Sequence, residues 1–332
     1  MTTLAATHPT LLDAIKKTGP DGKIMPVVEM LNQQNELWQD AVYVEANSVA
    51  GHRTAIRTGL PTASMKRYNL GVAPSKSRQV TITDAIGHIY ETAEVDKDIA
   101  ELNGNTSEFL LSEHLPHIEA MNQKASYLAI YGDETTNPDE FTGFMCRYND
   151  QSAENACNIL TSADTPDSSD NASILLVGWG PVTTFFTFPK GSSAGLDYRD
   201  YGLISTDNQG GSGLIGEVYR RIYDWKLGLV VRDWRYVVRI QIDLENVVKD
   251  AATGPDIPAL MAKAVRRIPN LNICRPAFYM NRDMLDALDL QRTGRSTMAY
   301  QTIEDADGKI VDTFRKIPIR RNDAMLSTES GV

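Results

Sequence analysis

The chain is poor in the residues from which staples, metal centres and nucleophilic sites are usually built. It has 3 cysteines, 5 histidines and 4 tryptophans among 332 residues. Cys146, Cys157 and Cys274 are too few and too scattered for a disulfide framework or a zinc site, and are expected to be reduced thiols made in a cytoplasm. No apolar run has the length of a membrane span; the longest is around Ile174-Leu175-Leu176-Val177. Met1-Thr2-Thr3-Leu4 has no basic segment leading into an apolar one, so no secretory signal is expected. Positive charge is also in short supply. With 33 Lys and Arg against 43 Asp and Glu, the net charge is −10 and the pI near 5.1. Proteins that grip nucleic acid usually carry a basic footprint, so sequence-specific binding of DNA or RNA is not expected. Hydrophobic residues at 42% and charged residues at 23% exclude wholesale disorder and leave material for a sizeable core.

What charge there is falls unevenly. Residues 1–132 have a net of −4, residues 133–207 a net of −9, and residues 208–332 a net of +3. Within the first block, residues 46–83 contain no acid and carry Arg53, Arg57, Lys66, Arg67, Lys76 and Arg78. A basic extended stretch and an acidic block can attract each other, within one subunit or between two. Separately solvated surfaces are the plainer alternative.

The pattern along the chain is mixed. Residues 1–23 read as a polar arm with a turn at Gly19-Pro20-Asp21-Gly22. Residues 26–38 read as a helix that starts at Pro26 and places Val27, Met30, Leu31, Gln34, Leu37 and Trp38 on one face. Residues 46–83 lose the helical period and read as an irregular, projecting hairpin. Residues 107–131 predict a helix of roughly 37 Å, capped by Thr106 or Ser107 and ended by Gly132. Its apolar stripe is read as Leu111, Leu115, Ile118, Ala125 and Leu128, and Pro116 should bend it or delay its start. Residues 133–171 read as acidic loops and 172–188 as buried strand. Residues 217–242 alternate at period two, as β structure with one buried face. Ile257 to Ile268 predicts an amphipathic helix, 273–280 a strand, and Asn281 the cap of a short helix with Leu285 and Leu288 inward. Asp307-Gly308 reads as a hairpin turn, and Ile317-Pro318-Ile319 as a short edge strand at best. Without βαβ alternation or internal repeats, the class is α+β.

Chemistry-bearing motifs are weak. His114 and His117, with Glu113, have a spacing that can put two imidazoles on one helix face for a metal. No third ligand is evident, and Pro116 lies between them. Gly210-Gly211-Ser212-Gly213 lacks the Lys-Ser/Thr of a phosphate loop. There is no Gly-x-Ser-x-Gly elbow, and no histidine lies near Cys146 or Cys157 in sequence. The run Arg232-Asp233-Trp234-Arg235-Tyr236-Val237-Val238-Arg239-Ile240 contains aromatics and arginines that could stack bases. The acidic balance favours a half-buried strand whose arginines face solvent or a neighbouring chain.

A series of segments nevertheless forms a pattern. It runs from Thr58-Gly59-Leu60-Pro61 and Leu102-Asn103-Gly104-Asn105 to Glu119-Ala120-Met121-Asn122-Gln123. It continues through Phe141-Thr142-Gly143, Arg147-Tyr148-Asn149, Val177-Gly178-Trp179-Gly180-Pro181 and Pro189-Lys190-Gly191, and ends at Gly228-Leu229-Val230-Val231-Arg232-Asp233-Trp234-Arg235-Tyr236. In this order, most closely over residues 25–245, the chain resembles the major capsid proteins of a group of short-tailed double-stranded-DNA bacteriophages. The resemblance implies an α+β chain of the Hong Kong 97-type capsid fold. Residues 1–45 would be the N-terminal arm, 46–90 the extended loop, and 91–332 the peripheral and axial domains, with a spine helix at about 107–131. It implies a virion protein, made in the host cytoplasm, that associates with itself as hexamers and pentamers of an icosahedral shell. The shell would enclose double-stranded DNA without reading its sequence. The further partners implied are a decoration or cement protein, a portal and a separate scaffolding protein. No enzyme activity, cofactor or membrane is implied. The extended loop reaches over an adjacent subunit in this fold, so Arg53, Arg57, Lys66, Arg67, Lys76 and Arg78 are expected at contacts between subunits. No residue matches the Lys–Asn cross-link of one relative. The alternatives are an encapsulin-like compartment shell and, from another class, a metal-dependent cytoplasmic enzyme using His114 and His117.

Overall fold

The computed structural model describes residues 33–332 except 50, 103, 163–169, 208–214, 245–246, 248–253, 294–299 and 305–309. The turn expected at 19–22, residues 26–32 of the expected helix, the glycine loop at 210–213 and the turn at Asp307-Gly308 lie outside the described residues. The described part of the 26–38 helix differs from expectation. Residues 33–36 are not helical, because Asn35 pairs with Asn322 as a β-bridge, and only Leu37–Asp40 (α1) closes into a turn of helix.

The next elements are β1 (Tyr43–Glu45), β2 (Gly51–Gly59), β3 (Arg78–Ala85) and β4 (Gly87–Asp96), then α2 (Lys97–Glu101) and α3 (Thr106–Tyr131). They are followed by α4 (Phe144–Arg147), β5 (Ile159–Thr161), β6 (Asn171–Trp179), β7 (Thr184–Phe188), β8 (Leu196–Asp207), β9 (Ile215–Val231) and β10 (Val237–Asp243). The rest of the chain forms α5 (Ile257–Arg267), β11 (Arg275–Met280), α6 (Arg282–Thr293), β12 (Tyr300–Glu304), β13 (Ile310–Phe314) and β14 (Ile317–Arg321). The chain divides into two compact units.

One unit takes in residues 88–126 and 195–226. Here β8 and the first part of β9 form a long antiparallel ladder, Leu196 opposite Trp225 through Asp207 opposite Ile215. Val95, Ala100 and Phe109 make one small core, and Ala93, Met121 and Tyr223 another. Charged pairs rim them: Arg220 with Glu94, and Lys97 with Glu217 at 2.7 Å. Asp96 caps α2 by accepting from the Asp98 and Ile99 amides.

The phase of α3 corrects the sequence reading. The helix begins at Thr106, after Asn105 rather than at a Thr106 or Ser107 cap, and runs on through Pro116. Phe109, His114, Met121, Ala125, Ser126, Leu128, Ala129 and Ile130 are buried, so Ala125 and Leu128 of the expected stripe hold, whereas Leu111, Leu115 and Ile118 are 58%, 50% and 38% exposed. The stripe is buried in its C-terminal part, at Ala125 and Leu128, and left uncovered in its N-terminal part. His114, which pattern reading scores as polar, occupies an inward position.

The other unit takes in residues 34–87, 127–194 and 227–332. Its centre is β6, flanked by β10 and β11, both antiparallel to it. All nine residues of β6 are buried, so both faces of the sheet are covered. On one face Ile174, Leu176, Val238, Ile240 and Phe278 meet Ile257, Met261 and Ala264 of α5 and Met284 and Leu288 of α6. Asp256 caps α5 through the Ala259 amide, and Asn281 caps α6 through the Met284 amide as expected. The Trp179 ring packs against Phe186, Phe144 and Tyr279 at 5.3, 6.0 and 6.4 Å, and its Nε1 donates to Tyr279 Oη.

Three strand readings change. β10 is buried on both faces rather than one. Residues 317–321 are an interior strand rather than an edge, with β11 on one side and β13 on the other. Pro318 is tolerated because the parallel register with β11 begins one residue later, at Ile319. Within the acidic block α4 and β5 add short regular pieces. After α3 the chain turns on Gly132, where a Cβ would stand 2.4 Å from the Phe141 carbonyl oxygen. Only glycine allows that approach.

Candidate assembly surface

β2 and β3 pair only with each other, as a two-stranded sheet apart from the larger one. The ladder runs from Gly51 opposite Ala85 to Gly59 opposite Arg78, with an extra residue between Arg57 and Gly59. Residues 60–77 connect the strands without regular structure. Alternation along the strands gives the hairpin two faces. Arg53, Ala55 and Arg57 share one with Thr83, Thr81 and Gln79; Thr54 and Ile56 share the other with Ile82 and Val80.

The root of this hairpin is firmly held. The Arg147 guanidinium lies 2.8 Å from the buried Asp84 carboxylate and also donates to the carbonyls of Thr142 and Leu229. The His52 ring packs edge-on to Phe185 at 5.3 Å, and burial lowers its pKa, opposed by Asp84 and assisted by Arg232. Beyond the root the support ends. Val80 and Ile82 are 50% and 41% exposed, and Met65 and Tyr68 at the tip are 99% exposed. A two-stranded hairpin is marginal in water without a partner for its apolar face.

The six cationic residues singled out in the sequence all lie on this hairpin. Arg53 and Arg57 are on one face, Arg78 falls on the other, and Lys66, Arg67 and Lys76 are in the connecting tip. All six side chains are exposed, and none has an ion-pair partner among the described residues. Arg57 also lines a groove of about 500 Å³ with Val182, Arg232, Trp234 and Arg235. Sequence reading placed the arginines of 232–239 toward solvent or a neighbour. That holds for Arg232 and Arg235. Arg239 is instead buried against Glu329 at 2.9 Å. Nothing in the local sequence announces that partner 90 residues away.

His114 and His117 do not converge. His114 is 3% exposed and faces the Tyr223 ring at 6.1 Å, while His117 Nδ1 pairs with Glu91 at 2.9 Å. Among the described residues no group of three or more His, Cys, Asp or Glu is placed to hold a metal ion. Cys146, Cys157 and Cys274 are free thiols. Burial raises the pKa of Cys146 and of Cys274. No described helix is long and apolar enough to cross a membrane.

A mixed α and β chain whose hairpin leaves Met65, Tyr68, Val80 and Ile82 exposed has surface suited to association with other chains. The family is given by comparison with known proteins. The family model described as major capsid protein GP7 matches residues 19–332, and the chain belongs to that family. A solved structure of bacteriophage Epsilon15 superposes with a TM-score of 0.79 at 32% identity, covering 100% of this chain and 99% of that one. The bacteriophage JBD30 capsid aligns with a TM-score of 0.48 at 8% identity, over 89% of this chain and 92% of that one. The SrpI encapsulin from Synechococcus elongatus PCC 7942 aligns with a TM-score of 0.45 at 9% identity, over 70% and 94%. No curated protein matches the chain. The chain is thus a bacteriophage major capsid protein with the phage capsid fold, and a component of the virion.

Proposed function

We propose that the protein closes with copies of itself, as hexamers and pentamers, into an icosahedral shell around double-stranded DNA, and that the 51–85 hairpin is its chief grip on a neighbour. The observation that carries this reading is the hairpin itself. Its exposed apolar side chains Met65, Tyr68, Val80 and Ile82 have no cover, and its six cations no ion-pair partner, among the described residues. The acidic block supplies complementary groups. Glu134, Asp139 and Glu154 are exposed and have no ion pair among the described residues. Arg53, Arg57, Lys66, Arg67, Lys76 and Arg78 of one copy would meet such carboxylates on the next.

In this reading residues 1–45 are the arm and 46–90 the extended loop. The unit containing most of α3 would be the peripheral domain, with α3 as its spine. The α5/α6-flanked sheet would form the axial domain. The net charge of −10 suits a wall facing packed DNA, since like charges keep the genome from adhering. Synthesis in the host cytoplasm and partnership with portal, scaffolding and decoration proteins belong to the same reading. The double variant Arg57→Glu/Arg67→Glu tests it. Shell formation, followed by negative-stain microscopy and size-exclusion chromatography, should be impaired while the melting temperature of the isolated subunit stays near wild type. Normal shells, or an equal loss of subunit stability, would remove the hairpin from this role.

A further inference from the structure

In the unit built on β6, two helices present opposite charges to solvent. α5 buries Ile257, Met261 and Ala264 and leaves Lys263, Arg266 and Arg267 exposed, at i, i+3 and i+4 along one side. It contains no acid. α6 buries Met284 and Leu288 and leaves Asp283, Asp286 and Asp289 exposed, each three residues from the last. Its own cations stand near the ends, at Arg282 and Arg292. The two helices pack into the same core against the sheet. They are joined where Gln291 of α6 accepts from the Ile257 amide and donates to the Pro255 carbonyl.

That attachment does not neutralise the charged sides. Lys263, Arg266 and Arg267 have no ion-pair partner among the described residues, and neither has Asp286. Asp283 accepts from the Ser327 hydroxyl, a neutral donor that leaves the carboxylate charge in place. Asp289 lies 3.8 Å from the Arg292 guanidinium, which also stands 3.5 Å from Asp312. The charged stretches are of similar length. Lys263 to Arg267 rises about 6 Å and Asp283 to Asp289 about 9 Å. One chain thus carries both halves of a complementary contact on different helices, the arrangement from which head-to-tail association between copies is built.

We propose that the Lys263/Arg266/Arg267 side of α5 docks on the Asp283/Asp286/Asp289 side of α6 in a second copy of the chain. Charge selects this occupant. α5 offers three cations and no acid, and every further copy brings carboxylates at matching spacing within a chain of net charge −10. The inference rests on the proposed closure into a shell, but it uses neither the 51–85 hairpin nor its cations. Charge pairs across an interface fix orientation and partner more than affinity, so this contact sets how neighbouring copies are turned.

The test is charge exchange between chains, in full-length protein with the hairpin untouched. One variant carries Arg266→Glu/Arg267→Glu and the other Asp286→Lys/Asp289→Lys. Each alone sets like charges against each other and should lose shells by negative-stain microscopy, while its subunit melting temperature stays near wild type. In an equal mixture, α5 of each variant meets the opposite charge on α6 of the other. Shells containing both chains should then return. Normal shells from either variant alone, or none from the mixture, would overturn the proposal. Normal shells that hold less DNA in the arginine variant would overturn it in favour of phosphates on α5. Wild type that forms no shells would remove the proposed function itself, so the two readings fail separately. Should a variant not fold, wild-type particles assembled from isotopically light and heavy protein give a second readout with a zero-length carbodiimide. Amide links from Lys263 to Asp283, Asp286 or Asp289 that join light to heavy chains support docking. Links confined to one chain, or from Lys263 only to other carboxylates, refute it.

Discussion

Arg239 and Glu329 form an ion pair at 2.9 Å with both side chains about 95% removed from solvent. The pair is part of a closed network. Arg239 also donates to Ser173 Oγ and to the Tyr148 carbonyl. Glu329 accepts from Ser173 Oγ and from Tyr131 Oη, the latter at 2.6 Å. Burial and the neighbouring Glu329 push the Tyr131 hydroxyl well above its ordinary range, so it stays a donor.

Removing one partner of a buried pair strands the other charge. Glu329→Ala should therefore destabilise the subunit by about 3–5 kcal/mol. Tyr131→Phe, which deletes one hydrogen bond to the same carboxylate, should cost about 1–3 kcal/mol. Denaturant midpoints for the two variants check this; a Glu329→Ala midpoint equal to wild type would mean that the pair contributes nothing.

The phase of α3 gives a paired expectation. Leu128 is 5% exposed, so Leu128→Ala should cost about 2–5 kcal/mol. Leu115→Ala, at a half-exposed position, should cost less than half as much. Chemical denaturation of the two variants side by side distinguishes them. The reverse order would restore the stripe expected from sequence.

His114 makes stability pH-dependent. Its pKa is lowered from 6.5 to about 4, first by burial, then by the neighbouring Arg221 and His117, with Asp200 opposing. The unfolded chain thus binds more protons than the folded one between these values. The contribution is fully present above pH 6.5 and is lost as pH falls toward 4. Other carboxylates titrate in the same window, so the informative quantity is a difference. Stability of His114→Gln should fall less steeply than wild type from pH 6.5 to 4. Parallel curves would show that the buried imidazole is not the titrating group.

Assembly should respond to ionic strength. Each exposed Arg or Lys to carboxylate contact is worth only about 0–1 kcal/mol, but a shell repeats it at every subunit. Raising salt through the range where the screening length falls from about 10 to 3 Å should slow assembly. Light scattering at fixed subunit concentration measures this. An increase in rate across the whole range would place hydrophobic contacts, which salt strengthens, in control.

Much of the architecture was legible because periodicity and caps are local signals. The helix at 257–267, the Asn281 cap, the 300–314 hairpin strands and the extended excursion of 51–85 were all marked by spacing and turn residues. What was not legible depends on distant partners. Arg239 was read as outward because Glu329 cannot be seen from it in sequence. β10 was read as one-sided because both covering layers come from elsewhere in the chain. The α3 stripe holds at Ala125 and Leu128 but not at Leu111, Leu115 and Ile118, because an amphipathic pattern does not say which apolar residues the subunit keeps and which it leaves uncovered. The charge on the hairpin was visible from composition. The lack of any partner for it among the described residues required coordinates.

Residues 60–77 have a further consequence, for insertion of foreign peptides. They join two strands whose register is fixed from Gly51 to Gly59 and from Arg78 to Ala85, and the tip contributes no ladder of its own. Closing a longer flexible loop adds only about 0.6 kcal/mol per doubling of length. A peptide spliced beside Met65 should thus leave the subunit fold nearly untouched while standing where a neighbour would be engaged. In the proposed role the tip would be permissive for folding and restrictive for particle formation. Grading insert length there would measure how much free space an assembled shell leaves around each hairpin.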